Sequence, residues 1–136
     1  MSLQSPLSKV LGLGAAKEGA QHWYSQRVSA VALLFLAPWF LVSLIYLGDV
    51  SYASITRWIA SPVHSVLLSL FVIAASYHAQ LGLQVVIEDY VPHKGTRVAV
   101  LLLLNFVLLL LAVIAVFSIL RLALNVSAVQ IQMGTD

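Results

Sequence analysis

Cysteine is absent from this chain of 136 residues and charge is scarce, with five acidic and seven basic side chains making up 9% of the whole. Without thiols the chain forms no disulfide, supplies no thiolate to a metal cluster and makes no thioether link to a prosthetic group. The seven Lys and Arg residues are scattered rather than gathered in a stripe, which argues against nucleic acid as a partner despite the net charge of +2. What fills the sequence instead is hydrocarbon: 61% of the residues are hydrophobic and the mean hydropathy is +0.98, far from the balance of a water-soluble domain.

Three uncharged runs stand out, at about 28–47, 63–87 and 98–120. Crossing a bilayer takes roughly 20 residues at about 1.5 Å each, so each run is long enough. Hydrocarbon offers the backbone no hydrogen-bond partner, and membrane strands are only about half this length with alternating polarity, so the runs read as helices and a β-barrel is excluded. The expected fold is all-α, one membrane domain over 1–136, with residues 1–27 as an arm outside the bilayer. The short apolar stretch "VLGLGAA" in that arm is too brief and glycine-rich for a secretory leader, so no cleaved signal peptide is expected. Lys9, Lys17, Arg27, Lys94 and Arg97 fall on one side of the runs, against Arg57 and Arg121 on the other, which places the N-terminus inside.

Between the first two runs, Tyr52, Ile55, Trp58 and Ile59 recur at helical spacing and predict a short helix in the headgroup plane, anchored by Arg57 and Trp58. Ser61 and Pro62 read as the N-cap and first position of the second span, and Pro38 as a potential kink in the first. The third run offers only Asn105 and Ser118 as polar groups, expected to bond neighbouring helices or their own backbone.

Chemistry is concentrated on the second run. His78, Gly82, Val85 and Asp89 fall within one narrow stripe of a helix. An ionisable ring at the depth of His78 is costly unless partnered. Two readings follow: it bonds a polar residue on a neighbouring helix, or it ligates the iron of a haem, which a chain without cysteine would hold without covalent attachment. Gly82, one turn away, removes bulk where a macrocycle or another helix would approach. A haem needs cations for its propionates, and Arg27, with His22, stands at the inner edge of the first span; Arg27 reads equally as a side chain snorkelling to the headgroups. His64 is fourteen residues from His78, about 21 Å along a helix, so one iron cannot join them and a second imidazole must come from another chain. His64 itself reads as an interfacial residue or a ligand to a second haem, and His93 as an exposed loop residue. Glu88, Asp89 and Tyr90 leave the helix where lipid meets water. There a phenol can donate to a quinone carbonyl and a carboxylate can relay protons, although aromatic and charged residues also end spans for no chemical reason.

Together, "HWYSQRVSAVAL" and "YHAQLGLQVVIEDYV", in which Asp89 and Tyr90 follow His78 by eleven and twelve residues, resemble the small hydrophobic anchor subunits of succinate dehydrogenase, respiratory complex II, and especially their alphaproteobacterial members. The resemblance covers about 12–124. It implies one half of a two-chain, haem-binding helical bundle in the bacterial inner membrane, without catalytic activity of its own. It further implies that His78 ligates haem b together with the companion cytochrome b anchor subunit, with Arg27 and His22 near the propionates. Tyr90 and Asp89 would border a ubiquinone site shared with the iron–sulfur subunit, which receives electrons from a flavoprotein subunit. The anchor of a quinol:fumarate reductase and a non-redox membrane scaffold are the rival expectations.

Overall fold

The computed structural model describes the backbone of residues 15–133 and the side chains of 19–125; Lys9 and the side chain of Lys17, on which part of the charge asymmetry rests, lie outside them. Four helices follow one another: α1 (Ala15–Leu47), α2 (Tyr52–Ala60), α3 (Pro62–Tyr90) and α4 (Lys94–Met133). Among the described residues there is no strand. Three stretches are long and apolar enough to cross a membrane, Gly19–Leu47, Pro62–Tyr90 and Lys94–Asn125. At about 1.5 Å per residue each exceeds the roughly 30 Å of a hydrocarbon core. The all-α expectation with three spans holds.

Helices α1 and α4 are longer than the uncharged runs that announced them. The run criterion stops at a charge, whereas "AAKEGAQHWYSQ" is made largely of residues that favour helix, so α1 begins well before Arg27. It runs on through Pro38 and ends at Gly48, whose φ of 68° is the left-handed conformation that glycine adopts without steric cost. Ser51 caps α2, its hydroxyl accepting from the Ser54 amide. Asp49 braces this cap: its carboxylate accepts from the Ser51 hydroxyl (2.6 Å), the Ser54 hydroxyl (2.7 Å) and the Ser51 amide (2.9 Å). Those bonds, Ser51 first, hold its pKa below the ordinary value, and the Arg57 charge adds a smaller push. Ser61 stands at the N-cap of α3 and Pro62 at its start, as predicted, although the Ser61 side chain makes no capping bond. Val91 ends α3 in extended conformation because Pro92 follows it.

The three spans form an open layer. Helix α3 is central, packing on α1 and on α4, whereas among the described residues α1 and α4 do not meet; α2 lies across the ends of the others, against α3 and α4 above all. Successive spans run antiparallel: Ser29 meets His78, Phe40 meets Phe71, and Trp39 meets His64. Among the described residues only Ala60, Leu81, Ile119, Ser29 and Ser65 are buried, and no large side chain is fully enclosed. A water-soluble chain of this size would have a packed centre; here most apolar side chains face outward, as lipid or a partner helix requires. Hydroxyls along the spans turn back onto their own helix, Ser43 to the Phe40 carbonyl (2.9 Å), Ser69 to Ser65 (2.7 Å) and Ser118 to Ile114 (2.7 Å), which satisfies them where no water is present.

The short helix α2 appears where the apolar spacing predicted it, with Trp58 on the side turned to the other helices. Its ring packs inward against His64 (5.1 Å between centroids), Trp39 (6.3 Å) and Phe40 (6.2 Å). Arg57 remains exposed and bonds its own helix at Ala53.

Candidate functional site

His78 lies sixteen residues into the 29 of α3 and faces α1. Its Nδ1 is 3.1 Å from the Ser29 hydroxyl and its Nε2 is 3.4 Å from the Gln26 side-chain nitrogen. The Ser29 hydroxyl also lies 3.0 Å from the Gln26 carbonyl oxygen, which can only accept. When the single hydroxyl proton points to that carbonyl, the Ser29 oxygen is an acceptor toward His78 and Nδ1 carries the hydrogen. In that tautomer Nε2 keeps its lone pair, touched only by a long contact from the Gln26 amide. The polar pairing of His78 is provided by a neighbouring helix, the first of the two readings the sequence allowed.

Gly82 sits one turn along α3. A Cβ built on it would lie 3.6 Å from the Gln26 side-chain nitrogen, an ordinary contact. The space beside His78 is occupied by Gln26, and the rest of the stripe diverges: Val85 and Asp89 are exposed.

On α1, His22, Gln26 and Ser29 are spaced by four and three residues, so they share one face, the one turned to α3. Two buried atoms on this face have no hydrogen-bond partner, Nε2 of His22 and Oε1 of Gln26. Arg27 stands about 100° round the helix from Gln26. It is exposed, with its guanidinium carbon 5.4 Å from the Trp23 ring centroid, a cation–π contact within α1. The structure brings His78 together with Gln26 and Ser29, which sequence reasoning missed. The signal was present, as polar residues at helical spacing across the start of the first apolar run.

Asp89 and Tyr90 end α3 about 16 and 18 Å beyond His78. Tyr90 is 83% exposed. Glu88 accepts from Gln84 (2.8 Å), whereas among the described residues neither the Asp89 carboxylate nor the Tyr90 hydroxyl has a hydrogen bond. The turn beyond them is tied by Arg97, which donates to the Val91 carbonyl at 3.1 Å. His93 is exposed in that turn. His64 lies toward the opposite end of α3, beside both the Trp39 and Trp58 rings, with its Nδ1 buried and unpartnered. Among the described residues no three His, Asp or Glu side chains converge as a metal site.

Two comparisons with known proteins give a consistent result. Residues 1–122 match the family model described as succinate dehydrogenase/fumarate reductase transmembrane subunit. A succinate dehydrogenase hydrophobic membrane anchor subunit of Rickettsia bellii is 31% identical over 118 residues, covering 84% of this chain and 94% of the relative. One of the same description from Paracoccus denitrificans is 34% identical over 98 residues, 72% of this chain and 75% of the relative. A succinate dehydrogenase membrane anchor subunit of Reclinomonas americana is 26% identical over 102 residues, 73% and 85%. No solved structure matches the chain significantly.

Proposed function

This chain belongs to the succinate dehydrogenase/fumarate reductase transmembrane subunit family, and from that premise we propose that it anchors a succinate:ubiquinone oxidoreductase in the bacterial inner membrane. It is a multi-pass membrane subunit, and its partners in this reading are a companion cytochrome b anchor, an iron–sulfur subunit and a flavoprotein subunit. The open layer of α1, α3 and α4 is half of the helical bundle formed with the companion anchor, whose helices cover the apolar surface left outside. Arg27, Lys94 and Arg97 share one end of the spans and argue for an N-terminus on the cytoplasmic side.

His78 is the proposed ligand to haem b, and the residues present fit that role. The hydrogen bond to Ser29 leaves Nε2 free as a donor atom, the arrangement in which a ligating imidazole holds its other N–H on a nearby acceptor. The unpartnered Gln26 Oε1 and His22 Nε2 on the same face show a polar inventory that the chain alone does not complete. A b-type haem bound there would supply one-electron capacity close to the route from the iron–sulfur centres. His78 contributes one imidazole and the companion subunit the other. Arg27 and His22 provide positive charge and a hydrogen-bond donor for the propionates.

Tyr90 and Asp89 are proposed to border the ubiquinone site. Two-electron reduction of a quinone consumes two protons, and its carbonyl oxygens gain negative charge on the way. An exposed phenol with no internal partner can donate to one of those oxygens, and the adjacent carboxylate can pass protons in from the aqueous side. The electrons come from succinate through the partner subunits; this chain holds and orients the acceptor.

The observation that carries the reading is the imidazole of His78 deep within a span, with Nδ1 against the Ser29 hydroxyl and only a long contact at Nε2. Its bonds to Gln26 and Ser29 also suit a plain scaffold in which the ring only joins α1 to α3. Affinity purification through this chain separates the two. The proposed function requires the flavoprotein, the iron–sulfur protein and a second anchor to copurify and to reduce ubiquinone with succinate. A scaffold would yield none of this activity, and the anchor of a quinol:fumarate reductase would give a complex that works faster from quinol to fumarate. The relatives, named for succinate dehydrogenase, favour the first direction.

A further inference from the structure

The geometry points to Ser29 as a positioning residue that fixes the tautomer and orientation of His78 for its metal, an inference that rests on the haem reading above. Ser29 is 6% exposed, so no solvent competes for its hydroxyl. In this assignment the hydroxyl proton lies toward the Gln26 backbone carbonyl (3.0 Å), so that the oxygen presents lone pairs to His78 Nδ1 at 3.1 Å. An imidazole with Nδ1 protonated has one nitrogen left for iron, Nε2; turning over would replace its satisfied N–H by a ring C–H, and shifting tautomer would leave a bare lone pair facing an oxygen. Helix α1 therefore prepares α3's ligand before any cofactor arrives. Gln26 completes the arrangement, its amide resting against Nε2 at 3.4 Å, long enough to be displaced.

The hydroxyl has an electronic effect as well. Nδ1–H donation makes the imidazole more basic, and a more basic axial ligand favours the ferric over the ferrous state. Loss of the acceptor leaves an N–H in an apolar surround, lowers the basicity at Nε2 and moves the midpoint potential in the positive direction. Outer partners of metal-bound histidines typically change affinity by about 10- to 100-fold when removed.

The test compares Ser29→Thr and Ser29→Val in the assembled complex. The two side chains have the same shape and differ by the hydroxyl, so bulk at this buried position cancels; Ser29→Ala supplies a variant with no added volume. Each complex is examined by redox titration of the haem α-band, by haem-to-flavin ratio and by the rate of haem transfer to a scavenging apoprotein. Dye-linked succinate oxidation monitors assembly independently of the anchor chemistry. Expected are a wild-type potential and retention in Ser29→Thr, and in Ser29→Val and Ser29→Ala a positive shift with haem lost about 10- to 100-fold more readily. Equal behaviour of the Thr and Val complexes, with a normal haem in both, overturns the role of Ser29 while leaving the haem reading intact. A wild-type complex without b-type haem overturns that reading instead. Should neither Val nor Ala variant assemble, 15N spectra of the full wild-type chain in bilayers decide the matter: a protonated Nδ1 and bare Nε2 at His78 support the inference, and the opposite tautomer defeats it.

Discussion

Replacing Tyr90 by Phe removes one hydroxyl that, among the described residues, is bonded to nothing. With the side chain 83% exposed at the last residue of α3, the change leaves packing untouched and should shift stability by no more than about 0.5 kcal/mol. Any larger effect must come from what the phenol does in the complex. If it donates to a quinone oxygen that gains charge during reduction, the interaction resembles a hydrogen bond to a charged group, about 1.5–3 kcal/mol. At about 1.4 kcal/mol per factor of ten, kcat/KM for ubiquinone should fall by roughly 10- to 150-fold. The assay pairs succinate-driven ubiquinone reduction with succinate oxidation by an artificial dye, which draws electrons upstream of the anchor. The expected result is loss of the first with the second unchanged. Ubiquinone reduction within twofold of wild type would refute the donor role, and a parallel fall of both activities would show that Tyr90 acts on assembly.

Two further predictions concern local structure. Gly82→Ala should assemble normally and keep its haem, because the added Cβ meets the Gln26 amide at only van der Waals distance, 3.6 Å; Gly82→Leu should displace Gln26 and lower the haem-to-flavin ratio, which absorbance measures directly. The depressed pKa of Asp49 makes its support of α2 dependent on pH: the contribution is complete above the unfolded carboxyl's pKa, and is lost as pH falls through the lower folded value. Hydrogen exchange at the Ser54 amide should accordingly quicken in Asp49→Asn at neutral pH, and in the wild type only in acid below the usual carboxylate range.

The spans were legible because lipid imposes a strong rule, an apolar run of fixed minimum length, and α2 because its apolar face keeps a helical period. The extra turns of α1 were not, since Lys17, Glu18 and Arg27 interrupt the run without interrupting the helix. The position of His78 well inside α3 followed from spacing. Its partners did not: whether Gln26 and Ser29 face α3 depends on how two helices turn about their axes, and neither the run length nor the charge count carries that angle. The same limit hid the aromatic cluster. Trp39, Phe40, Trp58, His64 and Phe71 come from three helices and meet only once α2 folds over the ends of the others. Arg27 illustrates the opposite case, a residue placed at the expected level but on a face occupied by Trp23 rather than on the one shared by His22, Gln26 and Ser29.

The central claim is that His78 presents its free nitrogen to iron, and the visible spectrum of the purified complex tests it most directly. The account predicts a bis-imidazole b-type spectrum in the wild type that is lost in His78→Ala while flavin content stays constant. A wild-type complex showing only flavin and iron–sulfur absorbance, or a haem spectrum unchanged by His78→Ala, would contradict it.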